Sequence, residues 1–313
     1  MRLRNAATAI ASATLLFQNA IAQSLVSDES SSLIKRDEAP KEQEDPTLNK
    51  YFHEPGGDNN LGHYDARYFH GIVSYEERTD TQLHMIRAYL KFFTDQGLDT
   101  WIAHGTLLGW WWNGKMTQRL PWDWDMDTQV SGATLDYLGQ HFNRSVHHYV
   151  SDDEKVKREY LLDVNPWIWE RERGDGMNVI DARWIDVRNG LFIDITGLSE
   201  TKPDSSPGVW SCKNYHRYRT SDLYPMRESI FEGVPAKIPY AYDKILTEEY
   251  QQKALVLTEY QGHIWDPSQK EWIKTQAQIE REQKETEDKE HELKDEEQKK
   301  MEEEAGKQKG RKR

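Results

Sequence analysis

The chain is nearly devoid of cysteine. Cys212 is the only one in 313 residues, so an intramolecular disulfide is excluded and stability must come from a packed core. That is unusual for a chain with a secretory leader, because secreted proteins commonly carry disulfides. Positive charge is also scarce: 41 Lys and Arg stand against 54 Asp and Glu, giving a net charge of −13. Phosphate backbones are gripped by Lys and Arg, so this balance argues against nonspecific nucleic-acid binding. Long apolar runs are missing as well. A mean hydropathy of −0.92 is low for a fully globular chain, and charged or disordered ends are expected.

What apolar sequence there is near the start reads as a leader. Arg2 and Arg4 form a basic region, residues 6–17 are apolar, and Ala20-Ile21-Ala22 is a small-x-small cleavage site. The run is short of the roughly 20 residues a membrane helix needs. A signal peptide over residues 1–22 is expected, with no stable membrane span after its removal. The implied location is the secretory pathway, in the Golgi lumen or outside the cell. Residues 23–48 are polar and read as a disordered linker or pro-segment, with Lys35-Arg36 a dibasic processing candidate. Asn143-Arg144-Ser145 is an N-glycosylation sequon.

Aromatic residues and glycines rise from residue 50, and a single domain over residues 49–273 is expected. Twelve Trp and fifteen Tyr suggest an aromatic core first and a carbohydrate-contacting surface second. Thr79-Asp80 followed by Leu83, Ile86, Leu90 and Phe93 predicts a capped amphipathic helix. Residues 100–103 read as a strand, 107–112 as the start of a helix and 123–130 as the next strand. Asn189-Gly190 between two apolar runs predicts a hairpin carrying Asp186 and Asp194. Residues 242–260 are expected to be helical and to close the domain. Residues 274–313 form a charged tail, helical or disordered.

The chemistry concentrates in HGTLLGWWWNGKMTQRLPWDWDMDTQV, residues 104–130. On a strand, Asp123, Asp125 and Asp127 would share one face. Crowded carboxylates repel unless a cation sits among them, and hard oxygen ligands suit Mg²⁺ or Mn²⁺. Gly105 and Thr106 offer backbone N–H groups at a helix N-terminus, where a phosphate can bind. Lys115, Arg119, Arg217 and Arg219 are candidate phosphate clamps. His104 either touches phosphate or packs below the turn. Asp123 is an outer ligand or orients the turn after Pro121. The Trp110 to Trp112 run is expected in the core.

HGTLLG, PWDWDMD, FIDI and FEG in this order resemble the LicD/fukutin family of phosphotransferases, in its fungal mannosylphosphate-transfer branch. KYFHEPGG (residues 50–57), HYDARYF (63–69) and NYHRYRTSDLYPMRESIFEGVPAKIPY (214–240) extend the resemblance over about residues 50–272. It implies an α+β fold of the polymerase beta-like nucleotidyltransferase type, a mixed sheet flanked by helices. It also implies that Asp125 and Asp127 bind a divalent metal, with Asp194 of FIDI as the third acid on a neighbouring strand and Asp186 as outer support. The family pattern commonly has a third consecutive acid where this chain has Trp124. The activity implied is transfer of a phosphate-linked group from a nucleotide diphosphate-linked donor, a nucleotide sugar or CDP-alcohol, to a glycan or glycoprotein hydroxyl. Two other readings stay open: a DxD glycosyltransferase using a nucleotide sugar, and a non-catalytic regulator of a partner transferase.

Overall fold

The structure, a computed structural model, describes residues 50–58, 60–113 and 120–284. The expected signal peptide, the linker, Lys115, Arg119 and residues 285–313 lie outside them. The chain divides into two compact units at Val256. The domain expected to run to residue 273 therefore carries its last stretch in the second unit.

The first unit is built on α1 (Tyr75–Asp95). Ser74 caps it by accepting the Glu77 N–H at 3.2 Å, with Glu76 and Glu77 in the first turn where acidic groups favour the helix dipole. The helix thus begins a turn before Thr79-Asp80, because Ser-x-x-Glu at 74–77 is itself a start signal. Its side chains from Met85 to Phe93 are largely buried. Phe92 and Tyr89 pack on Trp184 with ring centroids 5.3 and 5.9 Å apart.

Trp184 belongs to a six-stranded sheet. Its strands are β1 (Trp101–Ile102), β2 (Asp127–Ser131), β3 (Ser145–Val150), β4 (Lys157–Val164), β5 (Ala182–Asp186) and β6 (Phe192–Leu198), in the order β1-β2-β6-β5-β4-β3. Only β2 and β6 run parallel, so the sheet is mixed. The β5–β6 hairpin turns at Asn189-Gly190 as the sequence predicts, with Gly190 at φ +85°. Two helices connect the strands: α2 (His104–Asn113) after β1 and α3 (Gly132–His141) after β2.

The face away from α1 is covered by β7 (Val209–Ser211), β8 (Arg217–Arg219), α4 (Thr220–Leu223) and α5 (Tyr242–Tyr250). Trp101, Leu198, Cys212, Tyr218, Leu223 and Ile245 make a core cluster there. A hairpin of β9 (Arg227–Phe231) and β10 (Val234–Ile238) turns at Glu232-Gly233. The tryptophan run of α2, expected in the core, lies at its edge: Trp110 and Trp112 are half-buried, with Trp110 Nε1 donating to Ser229 Oγ at 2.9 Å and Trp112 Nε1 to the Ala254 carbonyl at 2.9 Å, and Trp111 is 37% exposed. The expected helix over 242–260 ends at Tyr250 and is followed by a 3-10 turn, Gln252–Leu255.

The second unit holds a three-stranded antiparallel sheet of β11 (Glu259–Tyr260), β12 (His263–Asp266) and β13 (Glu271–Lys274), then helix over 276–284. Among the described residues no helix is long and apolar enough to cross a membrane.

Candidate active site

The acidic segment is held differently from the alternating strand its sequence suggests. The strand starts only at Asp127. Residues 123–126 have no ladder of their own and are tied down from outside. Gln82 Nε2 of α1 donates to the Trp124 carbonyl at 3.0 Å, and Arg78 Nη2 to the Pro121 carbonyl at 2.9 Å. The Arg78 guanidinium also lies 4.2 Å from the Trp124 ring, a cation–π contact that turns the indole away from the acids. Thr106 Oγ1 accepts the Asp127 N–H at 2.8 Å.

The result still brings the acids together. Asp123, Asp125 and Asp127 line one cavity of ≈ 50 Å³ with His104, Gly105, Thr196, Asn214, His216 and Tyr250. That volume suits a cation with a few waters. Asp194 joins through the sheet, because parallel pairing of β2 and β6 sets Asp127 opposite Asp194. Gly105 is required at its place: a Cβ there would stand 2.6 Å from Asp123 Oδ2. Asp123 Oδ1 in turn accepts the Asp125 N–H at 3.1 Å.

Among the described residues few positive groups face these carboxylates. Arg183 Nε donates to Asp194 Oδ1 at 2.9 Å, and the same Arg183 also pairs with Glu54. His63 Nδ1 bonds to Asp125 Oδ1. Burial, reinforced by the Asp125 charge, pushes Asp123 up to about 7. Burial lifts Asp194 to about 6 against the pull of Arg183. Burial raises Asp127 well above the usual carboxylate range, and the charges of Asp125, Asp194 and Asp123 add to it. Burial and surrounding carboxylates, Glu249 foremost, keep the Tyr250 hydroxyl protonated.

His104 opens α2 at φ +51° and packs beneath the turn. Its Nδ1 meets Glu249 Oε2 at 2.9 Å and its Nε2 meets Gln129 Nε2 at 3.2 Å. Burial disfavours a charged ring, and Glu249 outweighs it, pushing the pKa up to about 9. The Gln129 amide works the other way. Trp101 Nε1 donates to Gln129 Oε1 at 3.0 Å, which fixes the amide with its N–H₂ toward His104 Nε2. A proton on Nε2 would face that N–H₂ directly, so the wiring favours a neutral ring that donates from Nδ1 to Glu249. Tyr218 Oη donates to Glu249 Oε1 at 2.7 Å. His104, His216 and Glu249 offer ligand atoms within 4.8 Å of one another, yet this relay accounts for His104 and Glu249 without a metal.

Three expected site residues stand apart from the acids. Asp186 is buried on the side of β5 opposite Arg183, where it accepts from Arg188 N, Nε and Nη2 at 2.9, 3.1 and 2.8 Å. It braces the hairpin and does not support the acidic cluster. Arg217 and Arg219 are exposed on either side of buried Tyr218; the strand's alternation turns them away from the cavity. His216, one residue earlier, lines it instead. Asn143 is exposed in the turn before β3, and its Oδ1 accepts the Val164 N–H at 3.0 Å. His63, Arg183, Glu249 and Tyr250 are neighbours that sequence reasoning missed. They come from three distant segments and carry no spacing signal.

Comparison with known proteins fits this arrangement. Residues 97–241 match the LicD/FKTN/FKRP nucleotidyltransferase domain. Two Saccharomyces cerevisiae proteins are similar. Mannosyltransferase regulator 4 is 34% identical over 230 residues, 71% of this chain and 19% of that protein. Mannosyltransferase regulator 14 is 39% identical over 141 residues, 44% of this chain and 14% of that protein. The chain thus spans less than a fifth of either relative's length.

Proposed function

From the LicD-family nucleotidyltransferase domain that this chain carries, we propose a divalent-metal-dependent transferase of a phosphate-linked group, mannosylphosphate, acting in fungal glycan modification. The donor is a nucleotide diphosphate conjugate and the acceptor a hydroxyl of a glycan or glycoprotein. One observation carries the reading: buried Asp123 and half-buried Asp125 and Asp127 line a cation-sized cavity, Asp194 stands opposite Asp127 in the sheet, and among the described residues few positive groups face them. An oxygen-only donor set of this kind fits Mg²⁺ or Mn²⁺. Asp125, Asp127 and Asp194 would hold the ion. When bound, it supplies charge neutralisation for the phosphoryl oxygens.

The chain's own groups do the rest. The N-terminus of α2 presents the Gly105 and Thr106 amides to phosphate. The acceptor hydroxyl attacks the phosphorus distal to the nucleoside, and the bond from that phosphorus to the bridging oxygen breaks. The nucleoside monophosphate leaves. Asp194, whose carboxylate Arg183 orients, accepts the hydroxyl proton.

The names of the similar yeast proteins support mannosyl chemistry. They also favour a second reading, a regulator of a partner transferase. Released nucleotide separates the possibilities. The chain is incubated with Mn²⁺, a mannan acceptor, and GDP-mannose or a CDP-linked donor. A nucleoside monophosphate is expected, with Asp125→Asn and Asp127→Asn each slowing its release on the order of 100-fold or more, about 3 kcal/mol of transition-state stabilisation. A nucleoside diphosphate would make the chain a glycosyltransferase. Mn²⁺ binding without turnover would favour the regulator.

A further inference from the structure

A second concavity lies at the other end of the β2–β6 pair. It measures ≈ 630 Å³ and is open to solvent, lined among others by Ser131, Asp136, Trp169, Ser199, Glu200 and Trp210. That is the size of a small-ligand cleft. Ser131 ends β2 four residues beyond Asp127, and Leu198, also in the lining, ends β6 four residues beyond Asp194. At about 3.3 Å per residue the groove begins roughly 13 Å along the strands from the acids.

Three features define what the groove would accept. Trp169 is 68% exposed, a large apolar face held in water without core packing to explain it. Trp210 is fixed, with Nε1 donating to Thr220 Oγ1 at 3.0 Å. The charge is unfavourable for an anion: Asp136 and Glu200 are exposed acids, while Arg171 is tied to Asp181 at 2.8 Å, a carboxylate it shares with Lys213. Carboxylates and serine hydroxyls take hydroxyl hydrogen bonds, and indole faces take the apolar C–H face of a pyranose. A nucleotide or a phosphate-bearing ligand would be repelled.

We propose that this groove binds a neutral oligosaccharide, as a subsite for the acceptor glycan remote from the reacting hydroxyl. The assignment rests on the glycan-acceptor reading above, but its test needs neither donor nor metal. The full chain in EDTA is titrated with an α-linked mannooligosaccharide and followed by calorimetry. Binding is expected, weakened at least about tenfold by Trp169→Ala and partly restored by Trp169→Phe. An exposed side chain leaves the fold intact when truncated, so thermal unfolding should not move. Asp127→Asn should bind the sugar as the wild type does. No binding, equal binding by Trp169→Ala, or binding only of a Lys- and Arg-rich peptide would overturn the proposal. Sugar binding through Trp169 in a chain that never turns over would keep the groove and remove the catalytic reading. Turnover with an acceptor KM unaffected by Trp169→Ala would do the reverse.

Discussion

At Asp123 a single carboxylate is both buried and surrounded by its own charge. Its folded pKa of about 7 lies above the unfolded value near 4. The folded state therefore holds the proton more tightly, and stability falls as pH rises from about 4 through 7. Asp194, at about 6, contributes in the same direction. Without metal, Asp123→Asn should therefore be more stable than the wild type at pH 7.5, by at most about 4 kcal/mol. The gap should close as pH falls toward 4. Mn²⁺ should stabilise both chains, because Asp125, Asp127 and Asp194, which would hold the ion, are intact in each. Thermal unfolding with EDTA and with Mn²⁺ at several pH values checks this; equal melting of the two chains at pH 7.5 in EDTA would refute it. Gly105 gives a companion case. A methyl group 2.6 Å from Asp123 Oδ2 must displace that carboxylate, so Gly105→Ala should weaken Mn²⁺ binding about 10- to 100-fold, read by calorimetry.

At the scale of elements, legibility followed local chemistry. The β5–β6 hairpin was readable because Asn-Gly demands its own backbone. Gly190 sits at φ +85°, and a Cβ there would lie 2.9 Å from the Asp65 carbonyl, so Gly190→Ala should cost about 2 kcal/mol or more in urea unfolding. An unchanged midpoint would count against that. The acidic segment was readable as a cluster but not as a structure. Period-two spacing suggested a strand from Asp123, whereas Gln82 and Arg78 of α1 hold residues 121–124 in place of strand partners. No local pattern encodes a long-range donor. The same limit applies to Asp186 and Arg217. Asp186 was placed in its hairpin and Arg217 in no element, and the face each occupies depends on packing: Arg183 turns toward Asp194, and Tyr218 turns toward Glu249.

For the whole molecule, the question is how much chain the site needs. Every residue lining the acidic cavity, and every neighbour that braces it, falls before Val256. The clusters around Trp184 and Trp101 also belong to the first unit. The second unit has its own sheet, closed by Trp265 and Trp272 with ring centroids 5.7 Å apart. Separate cores predict separable folding. A chain ending at Val256 should keep a cooperative melt and bind Mn²⁺ within about threefold of the full chain, a difference under about 1 kcal/mol. Calorimetric titration of both chains measures it. A larger loss would mean that residues 257–313 stabilise the site energetically although none of the described ones lines it.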